Sequence, residues 1–275
     1  MNEVMDILSI LLSCLVRGTS DKNWFVDSVI AFFVDNFPSW RAIAVGGPIG
    51  LLWAYLCLYF AGYLKRNKGL KTGYTRKVFH FLIFSSAVFV QSVWGTPILC
   101  LFGGMTTLVI FYAIFRGEGH ILYEAMARET DAPHRTHYII VPYLATLVGG
   151  LTSNILFSGV AVVGYLVAGL ADAIAEPVGT RFGRHKYRVP SFRQVRSTRS
   201  LEGSASVFLA CLPAITLGVL LCPDLALTSR ALLTVPLLAV ACTVLEAVSP
   251  HGWDNATMQV IPAFLAGMFF PIDAG

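Results

Sequence analysis

Long apolar runs alternate with short polar connections along this chain, and that rhythm sets its elements. Eight runs are suited to spanning helices, roughly 41–64, 78–94, 97–115, 138–153, 155–174, 204–222, 229–248 and 255–271. A bilayer core about 30 Å thick needs about 20 mostly apolar residues per helix, and these runs approach that length. Alternation at period two, the mark of a membrane β-barrel, is absent. The expected fold is all-α, a polytopic membrane bundle of about eight spanning helices. Two shorter stretches, 1–17 and 24–37, carry acids that include Asp27 and Asp35, and they suit either interfacial helices or one additional hairpin. The expected organisation is therefore an N-terminal amphipathic region, 1–40, followed by one multi-span domain, 41–275.

Composition agrees with that pattern. The chain is 56% hydrophobic and 13% charged, with a mean hydropathy of +0.68, outside the range of soluble globular domains. The six cysteines (Cys14, Cys57, Cys100, Cys211, Cys222, Cys242) lie in or beside apolar runs without a C-x-x-C pair, so they are expected as packing residues. Glu3 and Asp6 stand where a secretory leader would carry basic residues, and no cleaved leader is expected.

Parity fixes sidedness. Connections 65–77, 116–137, 175–203 and 249–254 are separated by even numbers of spans and belong on one side of the membrane. They hold 16 of the 20 lysines and arginines, whereas the opposite connections, 95–96, 154 and 223–228, hold none. The positive-inside rule places the basic side in the cytoplasm. This distribution accounts for the net charge of +4 through membrane orientation, and no nucleic-acid partner is expected. All six histidines, His80, His120, His134, His137, His185 and His251, fall in or at the end of connections on that same side.

The polar residues there suit phosphate chemistry. In Thr75-Arg76-Lys77-Val78-Phe79-His80, Arg76 and His80 share a helix face. The cations can hold phosphate oxygens and a neutral imidazole can take a hydroxyl proton, although headgroup anchoring and packing would explain the same residues. Asp172 lies within an apolar run, where an ionised carboxylate is costly unless paired or hydrated. Glu176 follows one turn later, and two carboxylates at that spacing suit Mg²⁺, which commonly bridges to substrate phosphates. Gly179 and Gly183 permit close backbone approach to phosphate, or simply end a helix. Arg184, Lys186, Arg188, Arg193, Arg196 and Arg199 then suit a nucleotide tail or anionic lipid headgroups equally. Ser200-Leu201-Glu202-Gly203-Ser204 opens the next span, with Ser200 also a candidate cap. Glu246 and the turn Pro250-His251-Gly252-Trp253-Asp254-Asn255 complete the set. Glu118, His120, Glu124, Arg128, Glu129, His134 and His137 form a mixed patch without zinc-ligand spacing.

Taken in order, these stretches resemble the polyprenol kinase family, which includes dolichol, phytol and farnesol kinases and CTP-dependent diacylglycerol kinases. Arg76-Lys77-x-x-His80 is similar to its early signature, and Asp172-Ala173-x-Ala175-Glu176 with Gly179 and Gly183 to its D-A-x-A-E…G…G segment. Ser200-x-Glu202-Gly203-Ser204 and Pro250-x-Gly252-x-Asp254-Asn255 resemble two later elements, and the likeness covers roughly 70–270. Ala171 and Arg199 stand where the family commonly has glycine and lysine.

The resemblance implies transfer of the γ-phosphoryl group of a nucleoside triphosphate, CTP, to a membrane isoprenoid alcohol. It implies Mg²⁺ on Asp172 and Glu176, with Asp254 or Glu246 as a further ligand. Arg76, Lys77, Arg193, Arg196, Arg199, Ser200, Glu202 and Asn255 would hold the nucleotide, where Gly179, Gly183 and Gly203 admit the main chain. His80 is the first candidate for hydroxyl activation and Asp172 its rival. A membrane cytidylyltransferase acting on a lipid phosphate and a transporter of an anionic lipid are the alternatives.

Overall fold

The computed structural model describes residues 24–189, 197–228, 231–250 and 252–270. Helices dominate: α1 (Trp24–Asp35), α2 (Trp40–Lys68), α3 (Thr72–Trp94), α4 (Thr96–Arg116), short α5 (Ile121–Glu124) and α6 (His137–Phe157) come first. Next comes a continuous run of α7 (Ala161–Leu166), a π-helical turn (Val167–Asp172) and α8 (Ala173–Phe182). The chain closes with α9 (Leu201–Leu221), α10 (Ala231–Val248) and α11 (Asp254–Phe269). The described strands are β1 (Lys186–Val189) and β2 (Ser197–Ser200), an antiparallel ribbon between α8 and α9.

Local chemistry explains the boundaries. Ser39 caps α2 by accepting from the Ala42 N–H at 3.2 Å, and Gly69 ends the helix in a left-handed conformation, φ +64°. Ser200 caps α9 in the same way, accepting from the Gly203 N–H at 3.1 Å. Asn154, expected as a connection, instead lies in the last turn of α6. Its amide donates to the Gly150 carbonyl at 2.8 Å and to the Tyr165 hydroxyl, and it accepts from Gln91 at 3.0 Å. The chain reverses later, at Ser158–Val160.

Five stretches are long and apolar enough to cross a membrane: Trp40–Lys68, Thr72–Trp94, Thr96–Arg116, His137–Phe182 and Leu201–Leu221. His137–Phe182 contains two of the expected spans, joined at the Ser158 turn, and α10 and α11 are shorter. Outward-facing Leu52, Leu56, Phe111, Leu209, Leu220 and Val244 are exposed, as lipid-facing residues are. This is an all-α polytopic membrane bundle. Lipid tails are as apolar as leucine, so helix association relies on close packing. A Cβ at Gly164 would sit 2.0 Å from the Gln259 carbonyl oxygen, and one at Gly149 would sit 2.7 Å from the Ala256 Cα. α11 therefore lies directly against α6 and α7.

Two apolar cores result. One joins α7, the π turn, α9, α10 and α11 to the middle of α3 through Phe84 and Val88. The other joins α2, α4 and α5 to Phe79 of α3 and Ile139 of α6. Between them lies a largely apolar chamber of about 640 Å³. Its lining runs along α3 from Arg76 to Ala87 and along α6 from Tyr138 to Asn154. At 1.5 Å of rise per residue, the α3 side alone is about 16 Å long.

Candidate functional site

One end of the bundle gathers the charged residues. α3 begins at Thr72, so Arg76, Lys77 and His80 lie inside its first three turns and not in a loop. The facing element is the π turn, Val167–Asp172, whose backbone departs from α-helical hydrogen bonding, as π turns at functional sites often do. Its Ala168 carbonyl lies 2.9 Å from His80 Nε2. A carbonyl only accepts, so Nε2 carries the hydrogen and Nδ1 is the acceptor nitrogen of the ring. At the end of the same turn, Asp172 Oδ2 lies 2.7 Å from Lys77 Nζ and 3.5 Å from His80 Nε2, and Lys77 and Asp172 are both buried.

Three further ion pairs complete the charged end. Glu176, one turn beyond Asp172, lies 3.1 Å from Arg128 Nη1. Arg199 on β2 reaches Glu246 at 2.9 Å through Nε and Asp254 at 3.0 Å through Nη2, bridging α10 and α11. The groups lie within mutual electrostatic range: Arg199 acts on Asp172, Asp254 acts on Arg76 and Arg128, and Asp172 acts on Glu246. The structure thus brings Arg76, Lys77, His80, Asp172, Glu176, Arg199, Glu246 and Asp254 together. Each acid in the set is matched by a cation.

The 117–136 connection is a folded cap and not an open loop. Leu122, Tyr123, Ala125, Met126 and Ala127 are buried, and Thr75 Oγ1 donates to the Ala125 carbonyl at 3.0 Å. Lys65 holds Glu124 at 3.1 Å and Glu129 at 2.6 Å, and Arg135 holds Glu124 at 2.8 Å. Burial opposes ionisation of Glu124, but hydrogen bonds from Arg135, the Gly119 N–H and Lys65 outweigh it and hold the carboxyl down at about 2. Burial lifts the Asp131 carboxyl above its ordinary range, with Arg128 and Arg76 pulling against it. This cap carries Arg128 into the charged end. The apolar run Ile121-Leu122-Tyr123 with Ala125-Met126-Ala127 was the available signal for a docked segment.

Three arginines from three segments, α3, the cap and β2, share one feature. Arg76 Nη1 and Arg199 Nη1 are buried and lack a hydrogen-bond partner, and so does Arg128 Nε, which faces Asp131 Oδ2 at 3.6 Å. Unsatisfied buried donors are costly, and guanidinium geometry matches phosphate oxygens. Among the described residues Arg76 forms no ion pair, and it also lines the apolar chamber beside His80, Tyr138 and Asn255.

Other expected residues are placed differently. Glu202 turns to His185, 2.8 Å away just before the ribbon, and does not pair with the acids and cations above. The room left by the glycines is already filled: a Cβ at Gly183 would lie 2.2 Å from the Gly179 carbonyl oxygen, and one at Gly179 would lie 3.0 Å from Ser200 Oγ. A Cβ at Gly203 would lie 3.0 Å from the Ala175 carbonyl oxygen. Close packing of α8 on α9 accounts for Gly203, and contact with the cap residue Ser200 accounts for Gly179 and Gly183. Asn255 faces the chamber from α11. Arg193 and Arg196 lie outside the described residues.

Among the described residues no three His, Cys, Asp or Glu side chains are grouped to hold a metal. The donor set nevertheless suits Mg²⁺, which binds through one or two carboxylates and keeps water and phosphate as its remaining ligands. Asp172 and Glu176 supply such oxygens on consecutive turns.

The chain is similar to phytol kinase from Synechocystis sp., with 34% identity over 106 residues, covering 38% of this chain and 42% of that protein. The chain thus matches less than half the length of this curated relative. No family model and no solved structure matches. The similarity supports the resemblance to the polyprenol kinase family.

Proposed function

We propose that this protein is an integral-membrane lipid-alcohol kinase that transfers the γ-phosphoryl group of a nucleoside triphosphate, CTP by family resemblance, to an isoprenoid alcohol of the phytol type. One observation carries the reading. Arg76 belongs both to the set of arginines with one buried, unmatched donor nitrogen and to the lining of a chamber about 640 Å³ in volume. A phosphate-seeking cation in the wall of an otherwise apolar chamber suits a reaction that joins phosphate to a lipid.

Phosphoryl transfer passes through a loose transition state, so positioning and charge neutralisation do most of the catalytic work. The triphosphate would lie among Arg76, Arg128 and Arg199, which supply donors from three directions. Lys77 would keep Asp172 ionised within the apolar bundle. Mg²⁺ held by Asp172 and Glu176, with Asp254 or Glu246 in reserve, would neutralise phosphate charge. The alcohol would enter from the bilayer, its tail along α3 and α6 and its hydroxyl near His80. With Nε2 committed to Ala168, the ring offers Nδ1 as the proton acceptor. By the positive-inside rule this charged end faces the cytoplasm.

The test uses purified protein in detergent with Mg²⁺, γ-labelled CTP and a panel of phytol, farnesol, a long polyprenol and diacylglycerol. Label is expected in the phosphorylated alcohol with release of CDP. Nucleotide binding without labelling of any alcohol would refute the kinase reading, and pyrophosphate release would identify a cytidylyltransferase.

A further inference from the structure

Asn255 sits in the first turn of α11, is 6% exposed and lines the chamber. Its amide orientation is fixed by its neighbours. Nδ2 donates to the Pro142 carbonyl at 3.0 Å and to Thr146 Oγ1 at 2.9 Å. Thr146 Oγ1 spends its own hydrogen on the same carbonyl at 2.9 Å, so it can only accept from Asn255. Reversing the amide would set Oδ1 against a carbonyl and a hydroxyl with no hydrogen to give. Oδ1 therefore points elsewhere, and it is buried without a hydrogen-bond partner.

Such an acceptor favours a ligand that donates. Among the chamber residues, Arg76 presents a buried unmatched donor and Asn255 a buried unmatched acceptor. Asp254, the neighbour of Asn255, lies in electrostatic range of Arg76, which places Asn255 at the charged end of the chamber. A primary alcohol both donates and accepts, and its carbon tail matches the apolar wall.

We infer that Asn255 positions the acceptor alcohol in the complex that precedes transfer: its Oδ1 accepts the hydroxyl hydrogen bond and turns the oxygen lone pairs toward the phosphates, and as the new P–O bond forms the same hydrogen passes to His80 Nδ1, the base proposed above. This rests on the lipid-alcohol reading and assigns Asn255 to the lipid instead of the nucleotide. Thr146 acts through Asn255 by holding the amide.

The experiment measures binding without nucleotide. Full-length protein in detergent is titrated with labelled phytol and competed with unlabelled phytol or phytyl methyl ether, which accepts hydrogen bonds but cannot donate. The wild-type protein should prefer the alcohol by about tenfold, the worth of one buried hydrogen bond. Asn255→Ala should bring the ratio of the two affinities close to one, and Thr146→Val, nearly isosteric, should lower it part of the way. Thr146→Val leaves the Asn255 side chain in place, so the bulk of the added methyl weighs equally in that variant and in the wild type. For active protein, the KM for the nucleotide should stay within about twofold in both variants.

A wild-type protein without preference, or a preference unchanged in the variants that fold, overturns the assignment. If Asn255→Ala does not fold, Thr146→Val and the wild-type ratio decide. A preserved alcohol preference in a protein that transfers no phosphate would leave this assignment standing while the kinase reading fails. Absence of phytol binding would overturn the assignment itself.

Discussion

Filling the chamber from Gly103 should shorten the alcohol that the protein accepts. Gly103 lies on α4 and lines the chamber, and an added Cβ would meet nothing within 4 Å. Leucine there gains about 1 kcal/mol of helix propensity over glycine, so the fold should tolerate it. Its side chain would occupy the room of about four tail carbons. At about 0.8 kcal/mol per buried methylene, displacing them costs about 3 kcal/mol, or about two-hundredfold in affinity as an upper limit. The assay compares kcat/KM for phytol and for geraniol, which has half as many carbons, in wild-type and Gly103→Leu protein. Phytol turnover should fall by one to two orders of magnitude, on the order of 10–100-fold, while geraniol turnover changes by less than about threefold. An equal fall for both alcohols, with thermal stability intact, would refute the idea that the tail lies in this chamber.

Other perturbations address the charged end. Asp172→Asn should abolish turnover; it leaves the buried Lys77 ammonium without its carboxylate, as Lys77→Met leaves Asp172 without its cation, so each should cost about 3–5 kcal/mol of stability, and detergent thermal melts beside activity separate lost chemistry from lost fold. Arg76→Lys keeps the charge but loses the planar fork; it should raise the KM for nucleotide about tenfold with little effect on melting, and an unchanged KM would remove Arg76 from the phosphate site. The cap has a pH signature: Glu124, held at about 2, stabilises the fold fully above its ordinary carboxylate range near 4.5. That contribution is lost as pH falls from about 4.5 toward 2, and Glu124→Gln should lower the melting temperature at neutral pH while flattening its acid dependence. A steep acid dependence that survives in Glu124→Gln would assign it elsewhere.

What could be read from sequence was what local chemistry decides. Hydropathy marks the spanning helices because each must satisfy its backbone within itself, and Ser200 announces a helix start. The Arg76/His80 spacing also transfers directly to a helix face. Asn154 misled because a polar residue in an apolar run reads as a connection, yet here Gln91 and Tyr165 satisfy it inside the bundle. The glycines make a related point: spacing shows that room exists but not that Ser200 and the facing helix pack into it. Pairings such as Lys77 with Asp172, 95 residues apart, depend on how two helices cross, and no local signal carries that.

The matching of acids to cations has a consequence for the proposed reaction. A buried carboxylate alone in an apolar bundle is expensive, and so is a buried guanidinium, so a site that needs both must neutralise them when the nucleotide is away. Lys77 with Asp172, Arg128 with Glu176, and Arg199 with Glu246 and Asp254 do that within the chain. A metal–triphosphate carries the same two signs, cation toward the acids and oxygens toward the arginines. Binding would then exchange one set of pairings for another with little change in local charge, and the arginine donors left unmatched in the protein are those that gain acceptors. On this argument metal and nucleotide should bind cooperatively. Calorimetric titration should find each ligand binding at least about fivefold tighter in the presence of the other, a coupling of about 1 kcal/mol. Independent binding of the two would mean that the acids and the arginines serve separate ligands.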